Sequence, residues 1–146
     1  MTTVIEGVKA PDERDVTAPV GRRLVLIVED EADLATTCAR LLRRRGHTVT
    51  TVGSRAAALA ALADMPLALL VCDLRLPDGD GLDVVRVASA MRPRVPVVVM
   101  TGRASERGRM AARAAGAAGY LPKPFTVAAF DELVDRALTT GSLGHP

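Results

Sequence analysis

No apolar run in the sequence approaches the roughly 20 residues that a bilayer span needs, so a membrane-spanning helix is not expected. The opening MTTVIEGVKAPDERDVTAPVGRR has no apolar core of the kind a secretory signal requires, and the chain is read as cytoplasmic. Cysteine is scarce. Cys38 and Cys72 stand alone in apolar patterns, without a CxxC pair or a Cys/His cluster, which leaves buried free thiols as the reading. Lysine is scarcer than the charge balance suggests: of 19 basic residues only Lys9 and Lys123 are lysines. Arginine is this chain's ordinary cation, so a lysine inside a structured segment invites a specific explanation. No helix-turn-helix follows the last periodic segment, and DNA binding by this chain is not expected.

What remains is the composition of one soluble domain, 146 residues long with 49% hydrophobic and 25% charged residues. The net charge of +2 is small but unevenly spread. Between residues 92 and 125, Arg92, Arg94, Arg103, Arg107, Arg109, Arg113 and Lys123 face a single acid, Glu106. Such a basic face suits an acidic partner, although solvation alone also accounts for it.

Residues 1–22 carry Gly, Pro and mixed charge without periodicity and read as a flexible leader. From Leu24 the pattern alternates. LVLIV (24–28), HTVTTV (47–52), LALLVC (67–72), PVVVM (96–100) and GYL (119–121) read as strands. Helical spacing between them predicts helices from Leu34 to the Gly46 stop, from the Ser54 cap to about Asp64, and near Leu82–Met91. Two more are predicted over about Ser105–Ala115 and from the Thr126 cap to about Leu138. Five strands alternating with five helices specify an α/β fold, with a mainly parallel, doubly wound sheet covered on both faces. The domain is assigned to residues 23–140, with a tail over 141–146.

In such open sheets ligands bind at the carboxyl ends of the strands. There strand one ends in Glu29-Asp30-Glu31, strand three in Asp73 and strand four in Thr101, and strand five is followed by Pro122-Lys123-Pro124. Carboxylates brought together repel unless a cation intervenes, and a hard divalent ion such as Mg²⁺ resolves the conflict. Asp73 is then both metal ligand and candidate nucleophile, while Lys123 and Thr101 offer a cation and a donor for anionic oxygens. The set suits phosphoryl transfer onto a carboxylate.

The motifs VLIVEDE, LLVCDLRLPDGDG, VVVMTGRA and GYLPKPF resemble the receiver domain of bacterial two-component response regulators over residues 23 to 140. The resemblance implies the flavodoxin-like strand order 2-1-3-4-5. It implies that Asp73 takes a phosphoryl group from a sensor histidine kinase or a histidine phosphotransfer protein. By the same resemblance Asp30 and Asp73 bind Mg²⁺ directly, Glu29 through water, and the backbone carbonyl of Arg75 completes the set. Thr101, Lys123 and the Gly102 N–H hold phosphoryl oxygens, and Tyr120 turns with Thr101 as the switch. The Lys123–Pro124 peptide is expected to be cis. An output face is implied over helix four, strand five and helix five, here including Arg107, Arg109, Arg113 and Tyr120, for a downstream protein. Helix one, with small residues Ala35, Thr36 and Ala39, is the candidate kinase-docking face. The resemblance suggests a stand-alone receiver, monomeric or weakly dimeric.

Each residue also has an ordinary reading. Asp73 suits a strand exit, Glu29 and Asp30 suit a helix cap and first turn, Thr101 suits a strand, and Tyr120 suits a half-buried edge. His47 and His145 read as bystanders. PDGDG fails as an EF-hand, because Leu82 and Ser89 occupy ligand positions, and no phosphate-binding glycine motif is complete. A phosphate relay or sink, or a phosphorylation-independent docking module, are the alternative roles. A dehalogenase-type enzyme wants a second Asp two residues after the nucleophile, where Arg75 stands. The protein is therefore read as a phosphoacceptor that assists its own phosphorylation and dephosphorylation, and not as an enzyme.

Overall fold

The structure is a computed structural model and describes residues 23–143; the leader assigned to 1–22, His145 and the end of the assigned tail lie outside the described residues. The apolar run LVLIV forms β1 (Leu24–Val28), followed by α1 (Ala32–Arg44), β2 (Thr48–Val52) and α2 (Arg55–Asp64). Then come β3 (Leu69–Asp73), a short hairpin of β4 (Arg75–Leu76) and β5 (Gly79–Asp80), and α3 (Gly81–Ala90). β6 (Val97–Thr101), α4 (Glu106–Ala115), β7 (Gly119–Pro122) and α5 (Val127–Leu143) complete the chain.

Five strands make one parallel sheet in the order β2-β1-β3-β6-β7. Counting sheet strands alone, this is the expected 2-1-3-4-5. Alternation along each strand divides the core. Val25, Ile27, Leu69, Val71, Val98 and Met100 pack with α1 and α5, whereas Leu26, Val28, Leu70, Cys72, Val97 and Val99 pack with α2, α3 and α4. Both faces of the central strands are therefore dry, which explains their unbroken apolar sequence.

The caps explain where helices start. Ser54 accepts from the Ala57 N–H at 3.1 Å and Ser105 from the Gly108 N–H at 2.9 Å. Thr126 accepts likewise from the Ala129 N–H at 3.0 Å. Such oxygens satisfy first-turn donors that have no partner inside the helix. Asp30, read as a possible cap of α1, is not one: Glu31 holds the N-cap position and makes no side-chain cap bond. Ala35 and Ala39 are buried against the sheet, so core packing accounts for them, and of the three small residues only Thr36 faces outward. α5 runs to Leu143, beyond the Leu138 at which the apolar pattern stops.

Cys38 and Cys72 are free, buried, and packed on opposite sides of the sheet. Burial pushes the Cys38 thiol up to about 11, and pushes Cys72 up as well. Neither is a reactive thiolate at neutral pH.

His47 lies at the opposite end of the sheet from the carboxyl ends, in a cavity of about 350 Å³ with Arg23, Arg45 and Asp135. Its Nδ1 is buried without a hydrogen-bond partner among the described residues. Burial, reinforced by Arg23 and Arg45 and opposed by Asp135, lowers its pKa from 6.5 to about 4. The unfolded chain therefore takes up this proton first as pH falls. The His47 contribution is present above about pH 6.5 and is lost toward pH 4, amounting to about 3 kcal/mol. Thermal melts of His47→Gln should show a shallower loss of stability than wild type across that range. Parallel curves would show that His47 is not the titrating group.

Candidate functional site

Parallel register brings the polar residues together. Val28 lies opposite Cys72, so Glu29 and Asp73, each one residue further on, end up side by side. Asp73 lies opposite Met100, which puts Thr101 one step beyond it, and Thr101 lies opposite Pro122, which puts Lys123 next. Asp73 is the last residue of β3 and Thr101 the last of β6, as the sequence pattern leads one to expect.

Carboxylate oxygens of Glu29, Asp30 and Asp73, one from each, all lie within 4.8 Å of one another. Glu29 and Asp73 are buried, at 3% and 5% exposure, while Asp30 is open to solvent. The Lys123 ammonium bridges the two buried acids, donating to Glu29 Oε1 at 2.8 Å and to Asp73 Oδ2 at 2.9 Å. Their remaining oxygens are held by backbone: Glu31 N–H donates to Glu29 Oε2 at 3.0 Å, and Arg75 N–H to Asp73 Oδ1 at 3.1 Å. Thr101 is 2% exposed; its Oγ1 accepts from Arg103 N–H at 3.0 Å and its carbonyl from Lys123 N–H at 2.8 Å. The Lys123–Pro124 peptide is cis, as expected from the resemblance; Arg92–Pro93 is cis too.

Burial pushes the Glu29 carboxyl up, and the bonds from Lys123 and the Glu31 N–H only partly offset it. For Lys123 the balance reverses. Burial alone would push it down, but the two carboxylates hold its ammonium above the usual range. Exposure explains the difference, because the Glu29 side chain is 1% exposed and that of Lys123 is 19% exposed. Three acids against one cation leave negative charge uncompensated. Hard oxygens at this spacing, one of them reached from solvent, fit a metal cation.

The loop PDGDG does more than turn. Asp80 caps α3 by accepting from the Leu82 N–H at 2.9 Å. Asp78 reaches back to α2, accepting from the Arg55 N–H at 2.7 Å and the Ala56 N–H at 2.9 Å. Those two bonds, then Arg55 itself, hold the Asp78 carboxyl below its usual range. The Arg55 guanidinium also pairs with Asp83 at 3.0 Å. The hairpin that follows Asp73 is thereby fastened to the start of α2. Gly81 is required by close approach: a Cβ there would come within 2.3 Å of the Asp73 carbonyl. Nothing local in the sequence announces that Asp78 caps a helix 23 residues upstream.

Tyr120 is half-buried, and its hydroxyl accepts from the Ser105 N–H at 3.2 Å, at the start of α4. The side chains of Arg75 and Arg103 are exposed at the rim.

Residues 25–136 match the response regulator receiver domain. The chain belongs to the receiver domain family. Among curated relatives, this receiver is 34% identical over 118 residues to the DNA-binding transcriptional regulator NtrC of Escherichia coli, covering 81% of this chain and 25% of that protein. Among solved structures, the non-phosphorylated HemR receiver domain of Leptospira biflexa is 29% identical with a TM-score of 0.75, covering 85% of this chain and 98% of that one. A response regulator from Burkholderia pseudomallei, solved with a phosphorylated aspartic acid, calcium ion and citrate, is 28% identical with a TM-score of 0.72. That match covers 82% of this chain and 69% of the other. The chain spans between a quarter and just over half the length of the curated relatives it matches. The receiver is a phosphoacceptor module, and its family works with histidine kinases. Among the described residues no helix is long and apolar enough to cross a membrane.

Proposed function

We propose that this receiver is a phosphorylation-activated switch in the cytoplasm. The observation that carries the reading is the Lys123 ammonium seated between Glu29 and Asp73 in a cluster of three carboxylates at the strand ends. An Asp73 carboxylate oxygen forms a bond to phosphorus as the N–P bond of a donor phosphohistidine breaks; the departing imidazole keeps the electron pair and takes a proton. The donor is a sensor histidine kinase or a histidine phosphotransfer protein. Glu29, Asp30, Asp73 and the Arg75 carbonyl would hold Mg²⁺, which when bound supplies positive charge for the carboxylates and for the incoming phosphoryl oxygens. Lys123 and the Thr101 hydroxyl take up the oxygens of the transferred group, with the Gly102 N–H. Likeness to a regulator solved with a phosphorylated aspartic acid and a bound divalent ion supports this assignment.

Charge placed on Asp73 then favours the arrangement in which Thr101 and Lys123 turn to it, and the shift reaches α4, β7 and α5 through Tyr120. The test is intact-mass measurement after treatment with acetyl phosphate, with and without Mg²⁺. One phosphoryl increment that requires Mg²⁺ is expected. No increment in either condition would leave a docking module that works without phosphorylation.

The two rim arginines bear on how long the phosphate lasts. The N–H of Arg75 binds Asp73 and that of Arg103 binds Thr101, so both side chains leave from the edge of the site. Long side chains there hinder in-line attack by water. Arg75→Ala with Arg103→Ala should shorten the half-life of phospho-Asp73 several-fold in a phosphate-release assay, whereas an unchanged half-life would refute that shielding.

A further inference from the structure

The two loops that carry the carboxylates meet at the first turn of α2. On one side, the Glu29 N–H donates to the Val52 carbonyl at 3.0 Å, and a Cβ on Gly53 would lie 3.7 Å from the Asp30 Cα. The backbone entering α2 therefore runs against that of Glu29 and Asp30. On the other side, Asp78 accepts from the first two N–H groups of α2, and the Arg55 guanidinium pairs with Asp83 at 3.0 Å. The Arg55 stem also lies on the hairpin, since a Cβ at Gly79 would come within 2.8 Å of its Cδ.

The hairpin needs such an anchor. β4 and β5 have two residues each and pair only Arg75 with Asp80 and Leu76 with Gly79. A ladder that short has no stability of its own, and Leu76 is its one buried side chain. The helix is capped without Asp78, because Ser54 holds the N-cap position and accepts from the Ala57 N–H. Arg75 begins the hairpin; its N–H donates to Asp73 Oδ1, and its carbonyl belongs to the proposed metal set.

From this arrangement we infer that Asp78 and Arg55 are positioning residues for the metal site. By fastening the hairpin to α2 they hold the Arg75 backbone beside Glu29 and Asp30, so that the ligand set is assembled before Mg²⁺ arrives. The inference rests on the proposed function only in taking Mg²⁺ as the ion at this site. Neither side chain belongs to the ligand set. Their loss therefore costs affinity through disorder of the ligands, and an ion once bound restores the order.

The test compares the full chain with Asp78→Ala, Asp78→Asn, Arg55→Ala and Ser54→Ala. Thermal melts first establish which variants are folded; should Asp78→Ala fail, Asp78→Asn and Arg55→Ala carry the comparison. Calorimetric titration with Mg²⁺ should give a dissociation constant about tenfold higher for Asp78→Ala. Asp78→Asn keeps one oxygen to accept from α2, and Arg55→Ala keeps both backbone bonds, so each should fall between Asp78→Ala and wild type. Ser54→Ala weakens the same helix without releasing the hairpin and should bind Mg²⁺ as wild type does. In metal-free buffer the Gly81 N–H, bonded to the Leu74 carbonyl at 2.8 Å, should exchange with solvent several-fold faster in Asp78→Ala. With acetyl phosphate as donor, the Mg²⁺ concentration giving half the maximal rate should rise in step with the dissociation constant. The rate at saturating Mg²⁺ should stay within about twofold of wild type.

Unaltered Mg²⁺ affinity in the folded Asp78 and Arg55 variants would overturn the inference. So would an equal loss in Ser54→Ala, which would make helix stability the cause, or a wild type that binds no Mg²⁺. A lower saturated rate at unchanged affinity would overturn it too, by moving Asp78 into the chemical step. Affinity is read by heat and acceptor chemistry by mass. Absence of a phosphoryl increment with the variant effect intact therefore refutes the switch alone, and the reverse refutes the positioning role alone.

Discussion

Asp73→Asn is expected to abolish the phosphoryl mass increment completely while leaving the fold at least as stable as wild type in metal-free buffer. The first half follows from chemistry, since an amide oxygen is too weak a nucleophile to displace a phosphoramidate nitrogen. The second follows from the charge count. Three carboxylates share one ammonium at the strand ends, and two of the three are buried. Removing the charge on Asp73 lessens its repulsion of Glu29, which adds to the burial penalty of that acid. The amide oxygen still accepts from Lys123, so the net change is within about 1 kcal/mol of zero and on the favourable side. Thermal melts should also show a smaller rise with added Mg²⁺ than in wild type, because the variant has one charged ligand fewer to relieve. An increment that survives in Asp73→Asn would move the acceptor to another residue. A large loss of metal-free stability would mean that the Asp73–Lys123 pair outweighs the repulsion.

The same strand ends show why so much of the site was legible in the sequence. In a parallel sheet every strand terminates at the same edge, so residues that follow the apolar runs must converge, and Glu29, Asp73, Thr101 and Lys123 each stand directly at such a terminus. The central strands were equally plain, since burial on both faces leaves no polar interruption from Val25 to Val28 or from Leu69 to Cys72. What local pattern does not encode is long-range polar contact. Asp78 capping α2, Tyr120 meeting the Ser105 N–H, and Arg45 reaching Asp131 on α5 join elements far apart in the chain. The end of α5 was hidden for another reason. An apolar stripe records only the turns that touch the core, and the helix continues past Leu138, where that stripe stops.

Lys123→Met should separate two roles that wild type combines. Methionine keeps the apolar stem but withdraws the ammonium, leaving Glu29 and Asp73 buried and facing each other with no cation between them. Breaking a buried pair in this way costs about 3 kcal/mol, and metal-free melts should record a loss of that order. The loss should shrink on acidification, because Glu29 is already displaced toward protonation by burial and loses its main counter-charge in the variant. It should shrink also on adding Mg²⁺, which then meets less competition for the same oxygens. The variant is accordingly expected to bind Mg²⁺ more tightly than wild type in a calorimetric titration. Phosphorylation should move the other way. Removing one positioned donor for the phosphoryl oxygens lowers the rate roughly a hundredfold even with the metal site saturated. Tighter metal binding with slower phosphorylation is the signature of a lysine that competes with the cation in the resting state and serves the phosphoryl group afterwards. If both affinity and rate fall together, Lys123 is only a structural counter-ion, and the resting contact with Glu29 and Asp73 is its whole function.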